Sequence, residues 1–213
     1  MNTLPAIKLN TLAALLKIAG KKDARYYLNG VYIDPVKGHA VATDGHIGLI
    51  VALPWKDATI EPFIIPRDLI ETAVKATSKR GEQLVIVSID DFKGIRTRTL
   101  ELSTSAGKFG APEIDGRFPD YLRIVPQTIS GVQSEQYDPA SLVRMQEALV
   151  LLAGKCWLDL HHNGNGAAVC TTKDADCIGL IMPRRDGGAG RSAVNNAYVA
   201  IGQSAPRFGG VQS

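Results

Sequence analysis

Disulfide scaffolds need many cysteines, and this chain of 213 residues has three, Cys156, Cys170 and Cys177. The number is odd and all three fall in one stretch, which excludes a disulfide framework as the source of stability. Long apolar runs are missing too. None approaches the ~20 residues that span a bilayer, so no membrane partner is expected. The opening MNTLPAIKLN lacks a basic stretch followed by an apolar core, so no secretory signal is read and the cytoplasm is the expected location. Charge of one sign is scarce as well. A formal net charge of +3 does not announce a nucleic-acid binder, and the placement of the cations has to decide. What the chain does have is 45% hydrophobic and 21% charged residues, the balance of a globular protein with length for one large or two small domains.

One order of signals occurs three times, a helical stripe followed by several extended segments. In the first stretch Asn10 or Thr11 can cap a helix whose Leu12, Leu15, Leu16 and Ala19 recur at i, i+3, i+4 and i+7. Behind the polar stop GKKD lie ARYYLNGVYID, HAVATD and GLIVAL, with NG and DG as turn signals. LNG also suits a bulge inside a longer strand, because Val31 and Ile33 continue the alternation. The second stretch runs from FIIP into PRDLIETAVKATSKRG. Pro66 suits a first helical turn, Asp68 and Glu71 lie near the positive helix end, and Leu69, Ile70, Ala73 and Val74 make the stripe. QLVIVSID, GIRTRTLELSTS and KFGAPEI follow, and RTRTLELS alternates as a strand with one wet face does. In the third stretch Asp138 and Pro139 open a helix with Leu142, Met145, Leu149 and Leu152 on one side, ahead of CWLDLHH, AAVCTT and CIGLIMP.

An α+β fold follows, with helices on one side and antiparallel sheets on the other. Two helix-plus-sheet units, about 1–60 and 61–126, are expected to pair as one domain. A linker over 127–137 leads to a third unit over 138–186, and the glycine-rich stretch 187–213, which has no acidic residue, reads as a flexible tail or a binding peptide. The connector GRFPDYLRIVP, residues 116–126, is too proline-rich for a strand in mid-sheet and too apolar for a solvated loop.

Sites of covalent chemistry are not apparent. His161 and His162 with the three cysteines lack a C-x2-C pair, and neighbours on a strand point to opposite faces, so no metal is expected. Asp44 with His46 has no nucleophile beside it, and GNG and GGAG lack the strand-to-helix setting of a phosphate loop. Neither a cofactor nor an enzymatic activity is expected.

The words RYYLNG (25–30), ATDGH (42–46), IIPRDLI (64–70), DGRFPDY (115–121) with the IVP that follows, and IMPRR (181–185) stand in an order that resembles the bacterial DNA polymerase III beta subunit, the sliding clamp. The resemblance covers residues 3–126 as that family's middle domain and about 137–186 as the second half of its last domain. It implies the DNA-clamp fold, three half-domain units in this chain, and a protein that encircles duplex DNA without reading bases and docks a polymerase, a clamp loader or other proteins by short peptide motifs. The family's first domain and the first half of its last domain have no counterpart here. After DGH the family has a large pair of residues, usually basic then apolar, where this chain has Ile47 and Gly48.

By motif position, the resemblance implies a peptide pocket lined by Leu28, Thr43, Gly45, His46, Pro126, Met182 and Pro183. Cations on the helices are the candidates for DNA: Lys17, Lys21 and Lys22, then Arg67, Lys75, Lys79 and Arg80, then Arg144 with Lys155 at its helix end. A third unit without its usual mate is expected to find one in a second copy through Leu142, Met145, Leu149 and Leu152. A dimer at the least, and a tetrameric ring as the complete form, are the expected assemblies. A clamp-derived binding module that does not encircle DNA, and recruits or competes for clamp-binding partners, is the alternative.

Overall fold

The computed structural model describes residues 2–77, 84–90, 98–132, 136–184 and residue 200. Strands β1 (Asn2–Thr3) and β2 (Ile7–Lys8) precede helix α1 (Leu9–Ile18), and β3 (Gly30–Asp34), β4 (His39–Thr43) and β5 (Ile47–Ala52) follow it. Strand β6 (Phe63–Pro66) leads straight into α2 (Arg67–Ala76), with β7 (Leu84–Asp90), β8 (Thr99–Thr104) and β9 (Gly107–Pro112) behind. Helix α3 (Pro139–Ala153) then precedes β10 (Asp159–His161), β11 (Ala168–Thr171) and β12 (Cys177–Ile181). These strands form two antiparallel sheets. One holds β1, β7, β8 and β9 in that order, with β2 also on β7; the other runs β10-β11-β12-β5-β4-β3-β6. Fold class is therefore α+β, with the helices layered on one side. The stretch 187–213, apart from residue 200, lies outside the described residues.

Local chemistry explains where the helices begin. Asp138 caps α3 through its carboxylate, which accepts from the Ala140 N–H at 3.1 Å and the Ser141 hydroxyl at 3.0 Å, and Pro139 occupies the first turn. Those bonds, the Ala140 N–H foremost, hold the Asp138 carboxyl below its usual range. Helix α1 corrects the expected cap. It starts at Leu9 after Lys8 with no side-chain cap, because β2 runs directly into it and Leu9 and Leu12 are drawn into the core. The LNG stretch is neither hairpin turn nor bulge. Tyr26–Leu28 form a 3-10 turn, and the Asn29 amide clamps the loop by accepting from the Asp23 N–H at 2.9 Å and donating to the Asp23 carbonyl at 2.8 Å.

The main core lies under α1, where Leu12, Leu15 and Ile18 have no exposed surface. It takes in Ile70 and Ala73 of α2, Val85, Val87, Leu100 and Leu102 of the second sheet, and Met145, Ala148 and Leu149 of α3. That last group overturns an expectation. Met145 and Leu149 are 0% exposed and covered within the chain, so they form no contact between copies; Leu142 and Leu152 are half-buried. Strand β12 pairs with β5 in the register Ile181↔Ile47 through Cys177↔Val51, and α3 lies along α1. The third stretch finds a mate in the first. Burying each such side chain is worth roughly 1.5–3 kcal/mol, enough to hold the two together.

The proline-bounded connector covers the outer face of the seven-stranded sheet. Phe118 stacks on Tyr32 with ring centres 4.6 Å apart and planes 3° from parallel. Tyr121, 5% exposed, donates its hydroxyl to Asp34 at 3.0 Å and takes a hydrogen bond from His39 Nδ1 at 2.9 Å. Since the single phenolic proton goes to the carboxylate, His39 must carry its proton on Nδ1. Burial with the Asp34 charge beside it pushes the Tyr121 phenol far up.

Candidate functional site

Two surfaces hold the residues singled out in the sequence, and the turn Thr43–Ile47 joins them. Asp44 Oδ1 accepts from the His46 N–H at 2.8 Å and the Ile47 N–H at 2.9 Å, and Thr43 Oγ1 accepts from Gly45 at 3.0 Å while donating to the Ile47 carbonyl at 2.7 Å. Gly45 has φ +91°, so the backbone demands glycine; a Cβ there would stand 2.6 Å from Arg25 Nη1 and displace the end of that side chain. Arg25 in turn donates to the Asp44 carbonyl at 2.8 Å and is paired with Asp23, whose carboxyl it holds down at about 2.

On the outer face, the Met182 N–H donates to the His46 carbonyl at 2.9 Å and so continues the β12–β5 pairing past the end of both strands. Leu180 sits opposite Gly48 in a small cluster with Ala167 and Val169, against which Val125, Ile178 and Met182 pack. A second cluster holds Leu28, Val41, Ile50, Ile64, Phe118 and Tyr121. Val125 packs against both. It therefore bridges the two patches, and Pro126 is its neighbour in sequence.

Of the seven residues expected to line a peptide pocket, the structure brings Thr43, Gly45, His46 and Met182 together at this seam and Pro126 and Pro183 to its margins. Leu28, 2% exposed, belongs to the core beneath and offers no surface, and the hydroxyl of Thr43, 8% exposed, is used within the turn. Surface open to a ligand comes from His46, which is exposed, and from the half-buried Pro126, Met182 and Pro183. Gly48 adds a contrast. Glycines 30 and 179 in the same sheet are forced by packing, since a Cβ would meet the Ile65 carbonyl at 2.5 Å or Met145 Sδ at 2.6 Å. At Gly48 the nearest atoms, on Ala42, Leu180 and Thr43, stand 3.9 Å away.

On the helix side lies an open hollow of about 990 Å³, lined by Lys17, Lys21, Lys75, Arg25, Arg67 and Arg144 along with Asp23, Asp44 and Glu71. Its cations are not equivalent. Arg67 turns its guanidinium onto the end of α1, donating to the carbonyls of Leu16 at 2.6 and 2.9 Å, Gly20 at 3.1 Å and Ala19 at 3.4 Å. Arg144 takes the carbonyls of Lys17 at 2.8 Å and Ile18 at 3.0 Å, and pairs with Asp44. Both were expected to face DNA, and both are instead committed to a helix end, where the dipole is negative. Burial, with Arg144 as a further opposing charge, pulls the Arg67 guanidinium below its usual range. Lys17 pairs with Glu147 at 2.8 Å and Lys75 with Glu71 at 3.7 Å. Lys21 and Lys22 are exposed and unpaired among the described residues, Lys155 is exposed, and Lys79 and Arg80 lie outside them.

Asp44 carries more than its place in the DGH word suggests. One carboxylate folds the turn, anchors Arg144 of α3 and thereby ties the third stretch to the first. An Asp-Gly pair after a strand signals such a turn, but nothing in the spacing points to an arginine a hundred residues away. His161 and His162 are bonded to Thr171 and Tyr137, and no group of three or more metal-ligating side chains occurs among the described residues.

Residues 4–120 match the sequence profile of the DNA polymerase III beta subunit, central domain. The chain belongs to this family. Beta sliding clamps from Caulobacter vibrioides and Vibrio cholerae are 31% and 35% identical to it over 114 and 112 residues, which is 50% and 51% of this chain and 29% of each relative. The match thus spans less than a third of those relatives' length. Among solved structures, the sliding clamp of Pseudomonas aeruginosa superposes with a TM-score of 0.64 at 17% identity, covering 86% of this chain and 66% of the other. For the Caulobacter crescentus beta sliding clamp the values are 0.65, 18%, 84% and 64%. At such identity the likeness shows the fold, and its coverage carries that fold beyond the residues matched by the family profile. No helix among the described residues is long and apolar enough to cross a membrane.

Proposed function

We propose that the chain acts as a sliding-clamp-type docking subunit in DNA replication, a processivity factor that holds a DNA polymerase, a loader or another replication protein by a short peptide laid across the β5–β12 seam. Membership of the beta-subunit family supports this reading. The observation that carries it is the Met182–His46 hydrogen bond, which aligns the closing strand with the DGH turn although they lie far apart in sequence. Apolar surface with a few polar groups at its edge suits an extended peptide anchored by large side chains, and a flexible Met182 adapts to several of them. The subunit binds and positions; it performs no covalent chemistry, and it works in the cytoplasm, where the replication machinery is. The test is a titration with a labelled clamp-binding peptide taken from a polymerase. Saturable binding by the wild-type chain and loss with Met182→Asp support the reading; equal binding by both overturns it.

Encircling duplex DNA is a second reading, favoured by Lys17, Lys21 and Lys75 around the helix-side hollow. Lys21 has no partner among the described residues, and Lys17 and Lys75 are held only by solvent-exposed pairs with Glu147 and Glu71, whereas Arg67 and Arg144 are bound to backbone carbonyls. About three phosphate contacts per chain would give a shallow salt dependence, a log–log slope near −3. Retention on circular but not linear DNA after loading marks encirclement. Release from both at one rate leaves the docking module, which recruits or competes for the same partners without a ring.

A further inference from the structure

Strand alternation puts Tyr32, Asp34, His39 and Val41 on the outer face of the seven-stranded sheet, with Tyr32 opposite Val41 and Asp34 opposite His39 across the β3–β4 hairpin. The connector lays two aromatic rings on this face. Phe118 stacks on Tyr32, and the Tyr121 ring stands edge-on to Tyr32 and His39 with centres 6.0 and 5.9 Å away. Apolar contact alone would hold a ring here. Tyr121 adds direction, because its hydroxyl donates to Asp34 and accepts from His39. Lys37 of the hairpin turn closes the group, with its N–H on Asp34 at 3.0 Å and its ammonium 3.2 Å from Asp34 and 5.6 Å from the centre of the Tyr121 ring. Asp34 is 2% exposed. A carboxylate so deep is costly unless bonded, and its bonds fix one position of the connector where apolar packing tolerates slip.

That position is carried towards the seam. Tyr121 opens the 3-10 turn Tyr121–Ile124, in which the Arg123 N–H donates to the Asp120 carbonyl and the Val125 N–H to the Leu122 carbonyl, both at 3.3 Å. One turn thus separates the anchored hydroxyl from Val125. Leu122, Arg123 and Ile124 between them are exposed, so the turn is held from its two ends. Val125 packs against both outer clusters, and Pro126 follows it at the margin of the seam. His39 and Thr43 bound β4, about 13 Å apart at the rise of a strand, so Tyr121 itself stands well away from the DGH turn. We infer that Tyr121 is a positioning residue of the docking seam: gripped by Asp34 and His39, it sets where Val125 and Pro126 stand, and hence the wall that a peptide lies against. The inference rests on the docking role proposed for the seam. It makes the tip of the β3–β4 hairpin, which meets no peptide, part of the binding machinery.

Tyr121→Phe tests the inference, since it keeps the ring and deletes both hydroxyl bonds. Titration of the full chain with the labelled polymerase-derived peptide should show affinity reduced about three- to tenfold, the scale of one net hydrogen bond. Val125→Ala should weaken binding too, and the double variant should bind no worse than the weaker of the two single ones, because both changes act on one wall. Without peptide, the Val125 methyl NMR signals should shift in Tyr121→Phe. Val87→Ala, in the core of the second sheet, lowers stability away from the connector and should leave affinity at the wild-type value. An equal loss of affinity in Val87→Ala would make the effect one of stability and overturn the inference. So would Tyr121→Phe binding like wild type, or losses that add in the double variant, which would give Tyr121 a route that does not pass through Val125. A wild-type chain that takes no peptide overturns the docking role and this inference with it, an outcome distinct from the other three. Circular dichroism of each variant separates lost binding from lost folding.

Discussion

Arg67 and Arg144, contributed by two different helices, divide the C-terminal carbonyls of α1 between them. Arg67 binds those of Leu16, Ala19 and Gly20, and Arg144 those of Lys17 and Ile18, so five successive acceptors are satisfied by two side chains. Helix ends leave such carbonyls without intrahelical partners, and a guanidinium answers several at once with its planar fork. One helix end thereby ties α2 and α3 to α1.

Truncating either arginine should therefore destabilise the fold. Arg67→Ala and Arg144→Ala are each expected to cost about 1.5–3 kcal/mol, the range for hydrogen bonds to a charged group. Lysine at either position keeps the charge but loses the fork, so it should recover less than half. Urea unfolding reads both effects. The same variants should leave the salt dependence of DNA binding unchanged, whereas Lys21→Ala should reduce it.

Stability should fall over two separate pH ranges as acid is added. Burial, aided by Lys56 and Lys37 and opposed by Asp34, holds His39 below 6.5. An unfolded chain then takes up that proton first, so stability is full above about pH 7 and drains as pH falls below 6.5 towards the folded value. Burial also pushes the Asp34 carboxyl up, but hydrogen bonds from the Lys37 N–H, the Lys37 ammonium and the Tyr121 hydroxyl outweigh it and leave it below 3.8. Its contribution is present above 3.8 and lost as pH falls through the lower folded value. Thermal melts against pH should show both declines in wild type, and His39→Gln should remove only the first.

Met145→Ala should cost about 2–5 kcal/mol, the price of a cavity in a packed core. Because Met145 is buried within its own chain, the loss should be the same at every protein concentration. A loss that shrinks on concentrating the sample would instead place Met145 at a contact between copies.

Two glycines of one sheet should respond oppositely to the same methyl group. Gly30→Ala drives a Cβ against the Ile65 carbonyl and should cost about 1–3 kcal/mol or more, as overpacking does. Gly48→Ala meets nothing closer than 3.9 Å and should be neutral or stabilising by about 0.4–1 kcal/mol. Differential scanning calorimetry of the pair decides it.

The helices were legible because their signals are local. Leu69, Ile70 and Ala73 recur at helical spacing, and Asp138 with Pro139 writes the start of α3 one residue at a time. Most strands could be read from alternation for the same reason. The start of α1 could not, since a core that pulls in Leu9 overrides the better capping residues Asn10 and Thr11. Nor could the burial of Met145. A stripe says that a face will be covered but not by what, and the cover came from within the chain, with Gly179 and Cys170 lying against Met145. Arg67 and Arg144 were misplaced on the same ground: sequence gives charge and helix position, whereas their roles depend on carbonyls that become neighbours only after the helices dock. At the candidate seam, the turn residues Thr43, Asp44 and Gly45 announced themselves as a turn, and the family resemblance supplied Met182. Val125, which joins the two outer clusters, carries no local mark.

The pairing of β12 with β5 also fixes when the seam can exist during synthesis. β5 leaves the ribosome long before its neighbour, and contacts so distant along the chain form late because closing the loop between them costs entropy before the contacts repay it. Until the last strand emerges, β5 is a bare apolar edge, the kind of edge that recruits strands from other chains. A prematurely terminated product would thus lack the β5–β12 seam and expose a sticky edge in its place, so finishing translation is what turns a hazard into a closed sheet.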